Sequence, residues 1–452
     1  MRPVDPARQS GSLATPLASL ARRVRRCAVA GLALTAIAGC GGSDSESCAA
    51  GGADGMLTVN ISGHDPGAVS VEGDAEVLTA TKTITLPAGP HRVIADRVTS
   101  PQTGITAQVF EASVDRPSAC VRAAATSVVN VTYALVPTSG KLWVGVGNAP
   151  DDSTMLGFDP ASVTATRTSA ADVAANTGGS DGFTFDRAGN MWVLGGTTAD
   201  APLARYRAAS FATDGDKVPD VVIDSPSFGA SLPGPKVVAF DAAGNLWVSV
   251  VADGKVVKLT AAQIAATGNP SATVERTGIG SPQGLAFDGA GNLWVAAQDD
   301  EAVIRIDAAN LAASGSSVDL AITAQTPSPV IGTLRPVGLA FDGSGNLWVN
   351  YDGTIARLAA ADLGGTGTKT ITPAIQINTD VLTLPVGIAF DQDGGLWFAH
   401  ESGKFARLGP TQLLTSGSVV PSIVVTSPDV GYASWFAIYP APASTPLYHK
   451  VP

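Results

Sequence analysis

Gly284-Leu285-Ala286-Phe287-Asp288-Gly289-Ala290-Gly291-Asn292-Leu293-Trp294-Val295 decides the fold of this 452-residue chain. Two apolar runs, Leu285-Ala286-Phe287 and Leu293-Trp294-Val295, flank Asp288-Gly289-Ala290-Gly291-Asn292, which reads as strand, tight turn, strand. Aspartate at the turn entry can accept backbone N–H bonds, and Gly or Asn at its end adopts positive φ readily. The same wording returns as GFTFDRAGNMWV from Gly182, VVAFDAAGNLWV from Val237, GLAFDGSGNLWV from Gly338 and GIAFDQDGGLWF from Gly387, with a partial copy, GKLWV, from Gly140. Trp143, Trp192, Trp247, Trp294, Trp348 and Trp397 therefore recur at intervals of 49, 55, 47, 54 and 49 residues.

That period belongs to blade-type repeats and exceeds those of most helical and leucine-rich solenoids. Behind each tryptophan strand lies an alternating segment, such as Val256-Val257-Lys258-Leu259 or Val303-Ile304-Arg305-Ile306, which reads as a third strand. Small-residue stretches follow, for example Ala309-Asn310-Leu311-Ala312-Ala313, each closed by Gly after Ser or Thr; they read as one or two helical turns with a glycine stop. A last apolar run, residues 318–322 or 423–425, supplies a fourth strand, and four antiparallel strands make a propeller blade. The partial copy at Gly140 lacks a preceding AFD strand, whereas Trp435-Phe436-Ala437-Ile438-Tyr439-Pro440 is such a strand with no GNLWV after it. Pairing the two completes one composite blade and removes exposed sheet edges. With Ala437 aligned to Ala389, the missing tryptophan position falls near 445, so the expectation is an all-β chain whose residues 138–445 form a six-bladed β-propeller. The recurrent tryptophans are expected to fill the space between neighbouring sheets.

Residues 1–39 read as a targeting segment: Arg22, Arg23, Arg25 and Arg26 precede an apolar run, residues 27–38, too short for a permanent membrane span. It ends in Ile37-Ala38-Gly39-Cys40, which resembles the bacterial lipobox. The resemblance implies that Cys40 carries a lipid anchor and becomes the first residue of an extracytoplasmic protein in the cell envelope. Gly41 stands where aspartate signals inner-membrane retention in some bacteria, which points to the outer membrane. Six arginines and one aspartate leave with residues 1–39, a contribution of +5, so the net charge moves from −11 to −16. Such acidity disfavours nucleic acid and anionic lipid as partners. Residues 40–55, rich in Gly, Ser, Ala and Asp, read as a flexible tether. Residues 56–137 hold short β-type runs with the turn Leu86-Pro87-Ala88-Gly89-Pro90-His91, the pattern of a small β-sandwich. That LPAG turn resembles carboxypeptidase-regulatory-like and PEGA-type modules, which usually act as spacers. With Cys27 and Cys40 accounted for, Cys48 and Cys120 are the candidates for a disulfide in an exported protein.

Chemistry is harder to find. The repeated Asp186, Asp241, Asp288, Asp342 and Asp391 supply one carboxylate per turn, short of the six to eight oxygens calcium takes. No phosphate loop, dinucleotide fingerprint or zinc spacing is present; no metal ligand and no cofactor is assigned. If the AFD strand is innermost, the loops before it and after the tryptophan strand share one rim, where the copies disagree. That rim supplies Gln298, Asp299, Asp300, Tyr351, Asp352, His400 and Glu401 as candidate binding residues, with Lys236 and Gln283 beside them. His400 and Glu401, the one histidine and carboxylate pair of the repeats, are the candidates for general base chemistry, although adjacent strand residues point to opposite faces.

Pro282-Gln283-Gly284-Leu285-Ala286-Phe287-Asp288 with Gly291-Asn292-Leu293-Trp294-Val295 resembles NHL-type repeats and the GNLWF repeats of streptogramin B lyases. The lyase resemblance implies elimination chemistry with a histidine and magnesium, and only Leu396-Trp397-Phe398-Ala399-His400-Glu401 approaches that wording. The motifs of gluconolactonase-type propellers are not found. The expectation is a monomeric, lipid-anchored binding or scaffold module for protein, peptide or glycan; the alternative is a lyase or lactonase-type enzyme with a divalent cation in the central channel.

Overall fold

The structure, a computed structural model, describes residues 48, 50–100, 104–147, 153–179, 182–195, 203–229, 234–316, 318–325, 335–351, 353–379, 385–400, 403–431 and 433–450. Cys40, Asp352 and Glu401 lie outside the described residues, as does the side chain of His400. Apart from short 3-10 turns the described chain is all-β. The first two sheets, built from residues 55–135, share one core in which Leu57, Val59, Val129 and Val131 are completely buried. Strand Gly55–Ser62 alternates inward Leu57 and Val59 with outward Thr58 and Asn60, as a half-buried sheet requires. Cys48 and Cys120 are joined by a disulfide with their Cα atoms 5.7 Å apart, which fastens the beginning of the described chain to strand Ser118–Val121.

Six further sheets among the described residues follow the repeat. In the copy quoted first, strand Pro282–Phe287 pairs with Leu293–Ala297, that with Ala302–Ile306, and that with Leu320–Ala324, each time antiparallel. The fourth strand thus begins two residues later than the apolar run predicted, because Val318 is outside the ladder and partly exposed. Strand Ala433–Tyr439 pairs antiparallel with Lys141–Gly147, placing Ala437 opposite Trp143, so the last strand completes the first sheet. The first strands of successive sheets neighbour one another in order, and Ala433–Tyr439 lies beside Phe183–Phe185, giving a propeller-like circuit.

The turn between first and second strands does more than reverse the chain. In the copy at Asp342, Oδ1 accepts the backbone N–H of Ser344 (2.9 Å) and Asn346 (3.0 Å), while Oδ2 accepts the Asn346 amide and the indole N–H of Trp348, both at 2.9 Å. Asn346 in turn accepts the N–H of Ala360 at the start of the 3-10 turn Ala360–Asp362. Asp186, Asp241 and Asp288 repeat this arrangement with Trp192, Trp247 and Trp294. Gly345 between them has φ +77°, a conformation that costs glycine nothing. The aspartates are therefore saturated by N–H donors, and their recurrence reports a buried indole that must be satisfied.

Two deviant copies show the same demand being met differently. Trp143 has no aspartate turn before it, and its indole donates to the carbonyl of Thr138 at 2.9 Å. In the last copy Gly395 replaces the asparagine; Asp391 still accepts from Trp397 at 2.8 Å, and Arg407 from the third strand pairs with the same carboxylate. Elsewhere the residue opposite the tryptophan is Arg205, Lys258, Arg305 or Arg357, whose charged group lies over the indole at 5.4 to 5.9 Å, within cation–π range.

Sheets are coupled to one another in two places. Near the axis, the phenylalanine of each AFD strand meets the preceding sheet's tryptophan edge to face: Trp192 with Phe240, Trp247 with Phe287, Trp294 with Phe341 and Trp348 with Phe390, at 6.0 to 6.2 Å. At the circumference, the segment expected as a helical turn with a glycine stop has a second role, because the Ser/Thr-Gly pair reaches across to the neighbouring sheet. Gly268 bridges Ile223, Gly315 bridges Arg276, Gly367–Ile371 pairs with Leu320–Ala324 and Gly417–Ser418 with Ile375–Asn378, all parallel. Side-chain oxygens of Thr267, Ser314 and Ser416 accept N–H groups from Val222, Glu275 and Gln376. Asp214 and Thr166 do the same for Ala174 and Val424, so the last sheet is covered by the first. Each outer edge is thereby occupied. Replacing Asp342 with alanine is expected to destabilise the chain by about 2–4 kcal/mol, since it leaves a buried indole and three other donors unpaired; Ser314→Ala should cost about 1 kcal/mol. Urea denaturation followed by near-UV circular dichroism measures both.

Candidate functional site

The aspartate-turn face is built over. Arg97, on the N-terminal pair of sheets, donates to the carbonyl of Arg187 and to the Tyr439 hydroxyl. The backbone N–H of Gly104 reaches Asp393 (3.0 Å), that of Gln392 reaches the carbonyl of Ile105 (3.2 Å), and Thr138 donates to the carbonyl of Gly189 (2.7 Å). Residues 441–450 cover more of this face: Tyr448 stacks on Phe240 with ring centres 5.0 Å apart, and its hydroxyl lies against Gly244. Positions that repeat are thus consumed by construction.

Between the six first strands runs an axial cavity. Val237, Leu285, Leu339, Ile388, Phe436 and Ile438 represent its walls, and its polar members are Thr184, Thr445, Tyr448 and His449. Among the described residues no carboxylate lines it, and no three of His, Cys, Asp and Glu converge as metal ligands. At the rim end the strands crowd together: a Cβ on Gly284 would clash with the carbonyl of Val337, and one on Gly182 with that of Lys236. Trp435, which aligns with these glycines, lays its ring against Gly387 and caps the cavity on the rim side. At the turn end the cavity is closed by Leu447, Tyr448 and His449.

The predicted rim residues divide. Asp299, exposed, pairs with Arg335 of the next sheet at 2.6 Å. Asp300 is exposed too, but its carboxylate caps the neighbouring loop by accepting the N–H of Gly280 at 2.7 Å. Gln298 is half-buried, with its amide oxygen 3.5 Å from the amide nitrogen of Gln283. These come from one corner of the rim. His400 terminates strand Leu396–His400, opposite Lys404 in the ladder. Tyr351 requires a correction. Its side chain is 1% exposed and packs with Trp294, Ile322 and Val349 between two sheets, so it is core and not rim. At the end of strand Leu347–Tyr351 it sits two residues beyond Val349 and so shares that inward face. Its hydroxyl has no hydrogen-bond partner among the described residues, and burial pushes the phenol above the ordinary tyrosine range.

Sequence reasoning passed over Trp435 and His449. Trp435 carried a signal, since it is the one tryptophan outside the GNLWV position. His449 carried none, because it lies beyond the last repeat.

No protein-family model matches the chain, and no curated protein matches it. Solved structures do. Virginiamycin B lyase from Staphylococcus aureus aligns at 17% identity with a TM-score of 0.34, over 51% of this chain and 66% of that one, so the chain spans just under two thirds of that enzyme's length. A streptogramin B lyase aligns at 13% identity and TM-score 0.36, over 77% of this chain and 95% of its own. A protein of unknown function from Bacteroides caccae aligns at 12% identity and TM-score 0.42, over 66% and 98%. Likenesses of this size assign the chain no activity.

Since a buried hydroxyl without a partner is a cost, Tyr351→Phe is expected to leave stability unchanged or raise it by up to about 1 kcal/mol. Thermal denaturation of the variant checks this, and a clear loss of stability would show the hydroxyl to be bonded.

Proposed function

We propose that residues 138–445 form a closed six-bladed β-propeller of NHL type, preceded by a β-sandwich, and that the chain is a lipid-anchored extracytoplasmic binding module. The observation that carries the reading is the division of labour between the two faces. The aspartate-turn face is occupied by the sandwich and by residues 441–450, whereas the opposite rim holds the positions that vary from sheet to sheet. The disulfide holds Cys48 on strand Ser118–Val121 of the first two sheets. The reading is of a monomer anchored to the outer membrane through a lipid on Cys40, with the rim as the surface for a protein, peptide or glycan of the envelope.

A lyase or lactonase-type reaction would need oxygen ligands for a divalent cation converging on the axis, and the described lining of the channel holds no carboxylate or side-chain amide. That favours binding over catalysis. Asp299 and Arg335, with Gln298 beside them, are the residues to test. The full chain, used to capture envelope material from membranes, should lose at least about tenfold in yield when Asp299→Lys and Arg335→Ala are combined, a change of about 1.4 kcal/mol or more. Ala290→Lys on the turn face should leave the yield unchanged. Loss in the second variant and not the first would overturn the assignment of the rim.

A further inference from the structure

Among the described residues, few polar contacts join 441–450 to the rest of the structure. Within the segment, Ala441 donates to the carbonyl of His449 (3.2 Å) and Thr445 to that of Pro442, which shape the segment without fastening it. Outward, the Arg187 guanidinium lies 4.5 Å above the Tyr448 ring and donates a long bond, 3.4 Å, to the Tyr448 carbonyl. A further link is His449. Its imidazole is 6% exposed, lies close to the backbone carbonyls of Ile438 and Phe185, and packs against the rings of Phe185 and Tyr439. It reaches into the turn-side mouth of the axial cavity, beside Leu447 and Tyr448.

We infer that residues 441–450 are an acid-released cap on the turn-side mouth of the axial cavity, with His449 as the latch. The physical reason is the cost of a buried charge. A neutral imidazole can donate to one of the two carbonyls and rests its ring on Phe185 and Tyr439; an imidazolium must be held in the same apolar place with no carboxylate of the described residues in contact. The charged and titratable groups of the described residues around the site are Arg97, Arg187, Lys450, Asp288 and the phenols of Tyr439 and Tyr448, with Glu111 and Asp186 acting on the Tyr439 side. Glu111 is engaged by Arg97, and Asp186 and Asp288 by Trp192 and Trp294, so none is spent on His449.

Burial lowers the His449 pKa from 6.5 to about 4, even though the two carbonyls raise it. Because the closed-state value is the lower one, the cap's stability is fully present above pH 6.5. It is lost as pH falls from there towards 4. Opening should rise by about 100-fold between pH 7.5 and pH 4, the factor that a shift of that size sets by linkage.

Hydrogen exchange of the full chain at these two pH values, corrected for intrinsic rates, provides the test. Residues 441–450 should lose about 100-fold in protection at pH 4, while strand Leu293–Ala297 keeps its own. In His449→Phe the protection of the cap should be independent of pH. Tyr448→Ala, which weakens the cap without touching the latch, should lower protection at both pH values and keep the difference between them. Unchanged protection in the wild-type chain, a parallel loss in the reference strand, or a persisting pH dependence in His449→Phe would overturn the inference.

Discussion

One carboxylate oxygen accepting one indole N–H sets the rest of this structure. A tryptophan is large enough to fill the gap between two sheets, yet its N–H must be satisfied once water is excluded. Asp342 Oδ2 meets Trp348 at 2.9 Å, while Oδ1 closes the turn that carries the chain into the tryptophan strand. Packing, turn geometry and polar satisfaction thus rest on the same side chain. The deviant copies support this account, because the indole finds the Thr138 carbonyl where the aspartate is missing and Arg407 takes the place of the missing asparagine.

That economy has a functional consequence. Residues that satisfy the core are confined to a few solutions, and the surface they form is the one on which the N-terminal sheets and the C-terminal segment are seated. The opposite rim is free of this obligation. The axis does not compensate with chemistry of its own, since crowded glycines narrow it at one end, Trp435 and the C-terminal segment close it, and its walls are apolar.

Much of the architecture was legible in the sequence because turns and packing residues are local signals. The pairing of Ala433–Tyr439 with Lys141–Gly147 followed from a half-repeat at each end. What was not legible depended on register or on long-range contact. Tyr351 stands at a variable position yet faces inward, and only the ladder that places it in phase with Val349 reveals this. The Ser/Thr-Gly pairs read locally as helix stops, but their partners lie on the neighbouring sheet, some 40 residues away, as with Ser314 and Glu275. Of the candidate site, Asp299 was recognised and its partner Arg335 was not, for the same reason.

The central claim is that one face is used for construction and the other for recognition. It is tested most directly by hydroxyl-radical footprinting of the full chain, alone and with captured envelope material. The account predicts protection at the rim around Gln298, Gln283 and Arg335, with the turns at Asp186, Asp241, Asp288 and Asp342 unchanged. Protection confined to those turns, with the rim still reactive, would contradict it.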